Sequence, residues 1–408
     1  MHGRTWLASS LKKHSAPNVI ALSLILELTA FSIVVASFSG AIDIRNTGSI
    51  VYGVPPLHID GRHVKDSLNR TVVLRGANYA RFIDTPYGDW LRPDGLINWG
   101  SWNINAATSN LDEMEKWGMN VVRTFATVEW WANNTGNHRQ IIKAWASLAA
   151  LRGIYVVYGF WRVTGSGTQS GLPYPPYCEA NSYIKNETDF VNLWQGIANE
   201  LKEFPGIIFE LWNEPGGNET SWFNVVQQCI TAIRSTGAIN LIVVQWGTCI
   251  FVNMEGHGIA PDTVLGMEWV ERHPLYDPAG NILYSTHIYR DNLQKTTSPT
   301  YTWAYSYDDL KLAFHYAKVD YVINNLSKPV WIGEVGPNQW NTNEIENEYS
   351  FYNNTLTIMN EWQIGYAAWW WWVTGNAWGH IEGGQTDYKP NRAGQILKYG
   401  INMSTVPP

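Results

Sequence analysis

Apolar and polar positions along the chain fall into a repeating two-part rhythm. Short runs that are apolar on both faces occupy residues 72–78, 120–126, 154–160, 207–212, 241–246, 282–287, 330–333 and 364–371. Such runs, too short for helices and lacking polar alternation, predict strands buried on both sides. Between them, residues 109–117, 139–151, 189–203, 221–235, 308–325 and 344–362 carry apolar residues at helical spacing. Eight strands alternating with helices describe a parallel sheet covered by helices, and eight units closing on themselves predict an α/β fold, a (β/α)8 TIM barrel. Ahead of the first strand, residues 59–73 alternate around Asp60-Gly61. This reads as a short N-terminal hairpin plugging the barrel bottom.

Loop lengths give the barrel a working end. The connections before strands are short, as at Gly118-Met119 and Arg152-Gly153, whereas residues 81–105 hold Trp90, Trp99 and Trp102 and residues 161–183 are rich in Pro and Tyr. Insertions after the strands gather at the end where barrels keep their chemistry.

Two of these strand ends carry glutamates in matching contexts. GIIFELWNEP, residues 206–215, is an apolar run that breaks at Asn213-Glu214-Pro215, and PVWIGEVG, residues 329–336, breaks at Glu334 before a glycine turn. A single glutamate at a strand end is more often a solvated loop residue. A pair of them, each behind an apolar strand with no structural use for a carboxylate, fits acid–base chemistry on a glycosidic bond. Other strand ends add Arg123, the pair His287 and Tyr289 on one side of their strand, and the run Trp369 to Trp372. Arginine favours the ionised form of a neighbouring carboxylate, while histidine and tyrosine can hold carboxylates by hydrogen bonds. The plain alternatives are an ion pair between elements for Arg123 and a core histidine for His287.

Composition sharpens the picture in two respects. The chain holds 23 Trp and 21 Tyr while charged residues make up 15%, more aromatic surface than a core requires. Flat rings stack on sugar faces, so the excess suggests a carbohydrate groove. A formal net charge of −7 without any basic cluster argues against nucleic acid as partner. Cys178, Cys229 and Cys249 have no metal-ligand spacing and allow at most one disulfide.

The N-terminus reads as a targeting segment. Arg4, Lys12 and Lys13 precede a run from residue 19 to 42 that is almost wholly apolar, with small residues at 36–41 suited to cleavage. Residues 1–42 are expected to be a signal peptide or signal anchor, 43–58 a linker and 59–408 the barrel. Secretion is preferred over retention at the outer face of the membrane, and seven N-glycosylation sequons, at Asn69, Asn133, Asn186, Asn218, Asn325, Asn353 and Asn402, agree with export.

Taken together, LRGANY, NVVRTF, LWNEP, THIYR, IGEVG and the tryptophan-rich eighth strand resemble the glycoside hydrolases of family 5, over residues 59–400. The resemblance implies a retaining β-1,4-glycan hydrolase of the endoglucanase (cellulase) kind, with Glu214 as acid/base and Glu334 as nucleophile. It also implies Asn213 on the sugar 2-hydroxyl, with Arg123, His287 and Tyr289 ordering the carboxylates. Trp369 becomes the ring platform, with Trp371 assigned to the same face. One position departs: Trp161 stands where the family has a histidine at the end of the third strand, which bears on the substrate. A β-mannanase on the same scaffold, a sugar-binding protein without catalysis and a membrane-anchored transglycosylase are the alternatives. No metal or organic cofactor enters the scheme, although loop carboxylates could hold a structural calcium. The expected partner is a β-linked polysaccharide bound by a monomer, with membrane contact only through a retained anchor.

Overall fold

A computed structural model of the chain describes residues 53–79, 104–134, 137–162, 183–253, 265–296, 302–372, 377–382 and 388–403. The expected targeting segment, most of the expected linker, the loop tryptophans Trp90, Trp99 and Trp102, and Cys178 lie outside the described residues. Among the described residues no helix is long and apolar enough to cross a membrane.

Eight parallel strands close into a barrel: β1 (Arg75–Asn78), β2 (Val121–Thr127), β3 (Tyr155–Arg162), β4 (Ile207–Glu210), β5 (Ile242–Gln245), β6 (Ile282–Ile288), β7 (Val330–Val335) and β8 (Gly365–Ala368). They neighbour one another in sequence order, and β8 pairs β1 to complete the ring. Helices alternate with them: α1 (Ile104–Lys116), α2 (His138–Ala150), α3 (Glu187–Leu201), α4 (Glu219–Ser235), α5 (Trp269–Arg272), α6 (Tyr307–Tyr316), α7 (Ile345–Glu361) and α8 (Arg392–Asn402). Polar side chains start several of them. Asn186, Asn218, Ser306 and Asn391 each accept a hydrogen bond from the backbone N–H three residues on, satisfying a donor that the first helical turn leaves open.

All eight expected strands and six expected helical segments have counterparts, with bounds shifted by a few residues and with the following departures. The segment 308–325 is two helices, because Lys318 takes a left-handed backbone (φ 59°) between α6 and the short helix Val319–Asn324. The regular ladder of β8 ends at Ala368 rather than at residue 371. The antiparallel hairpin before β1 pairs Leu57–Asp60 with His63–Asp66, so it begins inside the stretch expected to be linker.

Alternation along the strands builds the barrel interior in layers. Val121, Tyr155, Val157, Ile208, Val243, Leu283 and Trp331 form an apolar floor that Val54 and Leu57 join. One step further along the same strands come Arg123, Glu210, Gln245 and Ser285, all buried. The outward-facing residues, such as Val122, Ala126, Val156, Phe209 and Ile332, pack instead with the helices in one large core. The strand period of two therefore sends apolar residues to both layers near the floor and polar ones inward only towards the strand ends.

Candidate active site

Arg123 is the hub of the buried polar layer. Its Nε and Nη2 donate to the two oxygens of Glu210 at 2.7 and 2.8 Å, and Nη1 donates to Glu334 Oε1 at 2.8 Å and Asn78 Oδ1 at 3.0 Å. Nη2 also donates to Asn213 Oδ1 at 2.7 Å. These bonds use all five guanidinium donors, which offsets the cost of burying the group completely. Burial alone would lower the Arg123 pKa, but Glu210 and Glu334 outweigh it and raise the value above normal. A permanently charged group thus sits against Glu334, whose second oxygen accepts a 2.8 Å bond from the Tyr289 hydroxyl.

Room for this layer comes from two glycines. A Cβ on Gly159 of β3 would lie 3.0 Å from Glu210 Oε2, and one on Gly333 of β7 would lie 2.9 Å from His287 Nε2. Between Ile332 and Glu334 the register of β7 against β6 also shifts, so that Glu334 as well as Trp331 is presented to the interior.

Glu214 faces Glu334 from the end of β4. Its backbone is left-handed (φ 49°), a conformation costing a non-glycine residue about 1–3 kcal/mol. The fully buried Gln245 helps hold it, accepting from the Glu214 N–H at 3.4 Å while its own amide donates to Gly247 and Thr248 carbonyls at 3.2 Å. His287 Nδ1 stands 2.9 Å from Glu214 Oε1 and 3.6 Å from Glu334 Oε2. Burial pushes the Glu214 pKa up to about 7, against a smaller lowering by Arg123 and by the Cys249 thiol, which donates to Oε1 at 3.8 Å. His287 moves the other way, to about 4, chiefly through burial. At neutral pH its ring is uncharged.

These groups open into a cleft whose walls include Trp161, Asn213, Tyr289, Trp369 and Trp378. Phe125 lies between two of the rings, 6.4 Å from Trp161 and 6.2 Å from Trp369. Arg123, Asn213, Glu214, His287, Tyr289, Glu334 and Trp369 are therefore brought to one site. Trp371 is not. It is buried in the helix-facing core, edge-on to Trp117 at 4.9 Å, and its Nε1 donates to Asn110 at 2.8 Å. Strand alternation would place it on the face of Trp369, but the regular strand ends three residues before it.

With this geometry, the cellulase (glycosyl hydrolase family 5) family model matches residues 85–375. The chain belongs to glycosyl hydrolase family 5. It is a glycoside hydrolase by family. An endoglucanase of Clostridium saccharobutylicum is 26% identical over 198 residues, which cover 46% of this chain and 37% of that protein. The fold is similar to a hyperthermophilic endocellulase from the archaeon Pyrococcus horikoshii, with TM-score 0.61 at 18% identity over 86% of this chain and 99% of that one. It is also similar to the Thermomonospora fusca β-mannanase in its mannohexaose complex, with TM-score 0.55 at 16% identity over 85% and 95%.

Several residues of this family 5 hydrolase's site escape a reading of the sequence. Glu210 is one carboxylate inside an apolar run, and only its placement on the inward phase of β4 separates it from a strand-end defect. Asn78 donates to the Gly333, Ala367 and Ala368 carbonyls at 3.0–3.2 Å, tying β1 to β7 and β8 beneath the cleft. Its position within LRGANY was the available signal. Arg290, buried and paired with Glu344 and with Glu348 at 2.9 Å, stiffens another wall. Cys229 and Cys249 are both free thiols. Cys249 approaches the site from the loop after β5, a position with no pattern to mark it.

Proposed function

We propose that this enzyme hydrolyses β-1,4-linked glucan with retention of configuration, Glu334 acting as nucleophile and Glu214 as acid/base. The observation that carries the reading is the shared imidazole nitrogen. Its contacts of 2.9 Å to Glu214 and 3.6 Å to Glu334 hold the nearest carboxylate oxygens at or below roughly 6.5 Å, the lower edge of the range for inverting pairs. Glu334 accepts one hydrogen bond on each oxygen, from Arg123 and from Tyr289, which fixes the carboxylate and leaves a lone pair free for the anomeric carbon. The raised pKa of Glu214 leaves a proton available near neutrality for the departing oxygen, and the ionised form can later activate water. The neutral His287 adds no competing charge. Asn213, steadied by Arg123, is positioned for a sugar hydroxyl, and Trp369 offers a flat face for the ring.

Glucan is favoured over mannan because the family model and the curated relative both carry cellulase or endoglucanase names. Trp161 on the cleft wall supports keeping mannan as the second reading, since the ring replaces a hydrogen-bonding histidine near the sugar. Initial rates on carboxymethylcellulose, mixed-linkage glucan, xyloglucan and mannan, with NMR of the first-formed anomer, test both. The β-anomer from a glucan is expected; α-anomer first would remove the retaining mechanism, and faster turnover of mannan would replace the substrate. Products longer than the substrate would indicate transglycosylation instead. In Glu334→Ala, azide should restore turnover as an α-glycosyl azide, and in Glu214→Ala as a β-glycosyl azide. The reverse pattern would exchange the two roles.

A further inference from the structure

We propose that Glu214, Cys249 and His287 form a binding site for a thiophilic divalent cation of the zinc class, and that a cation bound there switches hydrolysis off. The three side chains come from three successive units of the barrel, the loops after β4 and β5 and the end of β6. Glu214 Oε1 lies 2.9 Å from His287 Nδ1 and 3.8 Å from Cys249 Sγ, and the three donor atoms all fall within 4.8 Å of one another. Tetrahedral zinc, with bonds of about 2.0–2.3 Å, places its donors roughly 3.3–3.8 Å apart. Small side-chain rotations bring the triangle to that size.

The chemistry of the donors selects the ion. Carboxylate alone suits calcium or magnesium, but thiolate with imidazole prefers zinc, cobalt or cadmium. Three protein ligands with a remaining position open is the pattern of sites that exchange their fourth ligand. His287 Nε2 is buried without a hydrogen-bond partner, so it can carry the ring proton while Nδ1 ligates. Cys249 forms no disulfide, and the proposed hydrolysis gives it no step. On binding, the cation displaces the thiol proton and any proton on Glu214, both of which leave to solvent, and a carboxylate held by the cation has no proton to give the departing oxygen. The inhibitory half rests on Glu214 being the acid/base; the binding half does not.

The test uses the full chain stripped of metal. Titration with Co²⁺ is expected to give one site per chain with a thiolate-to-cobalt charge-transfer band. Cys249→Ser, checked for folding by circular dichroism and with the other two cysteines kept, should lose the band. The Zn²⁺ concentration for half-inhibition should rise at least about tenfold in that variant, since losing a ligand costs no less than the roughly 10–100-fold of losing an outer-sphere partner. A wild-type cobalt complex without the band, or a band that survives in Cys249→Ser, overturns the site. Should the variant fail to fold, alkylation of the wild type followed by peptide mapping decides instead: cadmium is expected to protect Cys249, and unprotected Cys249 overturns the site. A thiolate-bound cation that leaves hydrolysis undiminished overturns the switch while the site itself stands; the acid/base role of Glu214 is read separately, from the azide product of Glu214→Ala.

Discussion

At the scale of single residues, the most informative group is Glu214, because folding changes its proton affinity. Its pKa rises from the ordinary 4.5 to about 7, mainly by burial, so the folded protein disfavours the ionised form. Below pH 4.5 the carboxyl is protonated in both folded and unfolded chains and nothing is lost. As pH climbs from 4.5 to 7 the unfolded chain ionises first and stability declines, and above about 7 the full penalty is present. Glu214→Gln mimics the protonated acid. It should abolish turnover yet be more stable than wild type at about pH 8 by on the order of 2–3 kcal/mol, with the gap closing below about pH 4.5. Urea denaturation at about pH 4 and about pH 8 measures it, and equal gaps at both would rule out the buried-acid account. The same ionisation sets the alkaline limb of activity, which should fall as pH passes about 7. Arg123 makes the complementary case. Arg123→Lys keeps the charge but cannot reach Glu210, Asn78, Asn213 and Glu334 together, so kcat should drop at least about tenfold, with a stability loss of about 3 kcal/mol from stranding Glu210. Wild-type kcat in a folded Lys variant would show that the network is dispensable.

At the scale of elements, what the sequence disclosed and what it hid follow from one physical distinction. The strands were legible because residues buried on both faces must be apolar throughout, and a run such as LIVV or YVVY cannot be mistaken for a surface helix. Glu214 and Glu334 were legible for the converse reason, as charges ending such runs. Trp371 was misplaced because four consecutive tryptophans favour strand equally, and nothing in their order marks where the ladder gives out. The helix α8 carries two glycines in 11 residues, which weakened its signal below that of its neighbours. Glu210 was hidden since its partner, Arg123, lies 87 positions away. β3 offers a direct check on that hidden layer. The methyl of Gly159→Ala would meet the Glu210 carbonyl at 2.9 Å and Oε2 at 3.0 Å, forcing the carboxylate off Arg123. Overpacking of this sort costs about 1–3 kcal/mol. Thermal denaturation should show that loss together with a fall in kcat, whereas a stable, fully active variant would mean that β3 yields and the ion pair does not depend on the gap.

At the scale of the whole molecule, the layered interior separates what holds the barrel from what it does. The carboxylate pair sits where the strands end, above Arg123, while the floor is made of residues at their beginnings, including Val121, Tyr155, Leu283 and Trp331. The hairpin strands Leu57–Asp60 and His63–Asp66 belong to that lower half: Leu57 is in the floor, Ile59 and Val64 pack against it, and the Ile59 N–H donates to Asn281 Oδ1 at 3.1 Å. The hydrogen bonds of the carboxylate pair run instead to Arg123, Tyr289, His287 and Cys249. Removing residues 53–66 would uncover apolar groups of the floor, each worth about 1.5–3 kcal/mol when fully buried, and barrel stability should fall by several kcal/mol. Activity should respond differently. Measured below the lowered melting temperature, kcat and its pH profile should match the intact enzyme, because Arg123, Glu210 and the two glutamates are fixed from strands that the deletion leaves paired. A changed pH profile in the folded truncation would mean that the floor also tunes the acid, and the division of labour along the barrel axis would have to be abandoned.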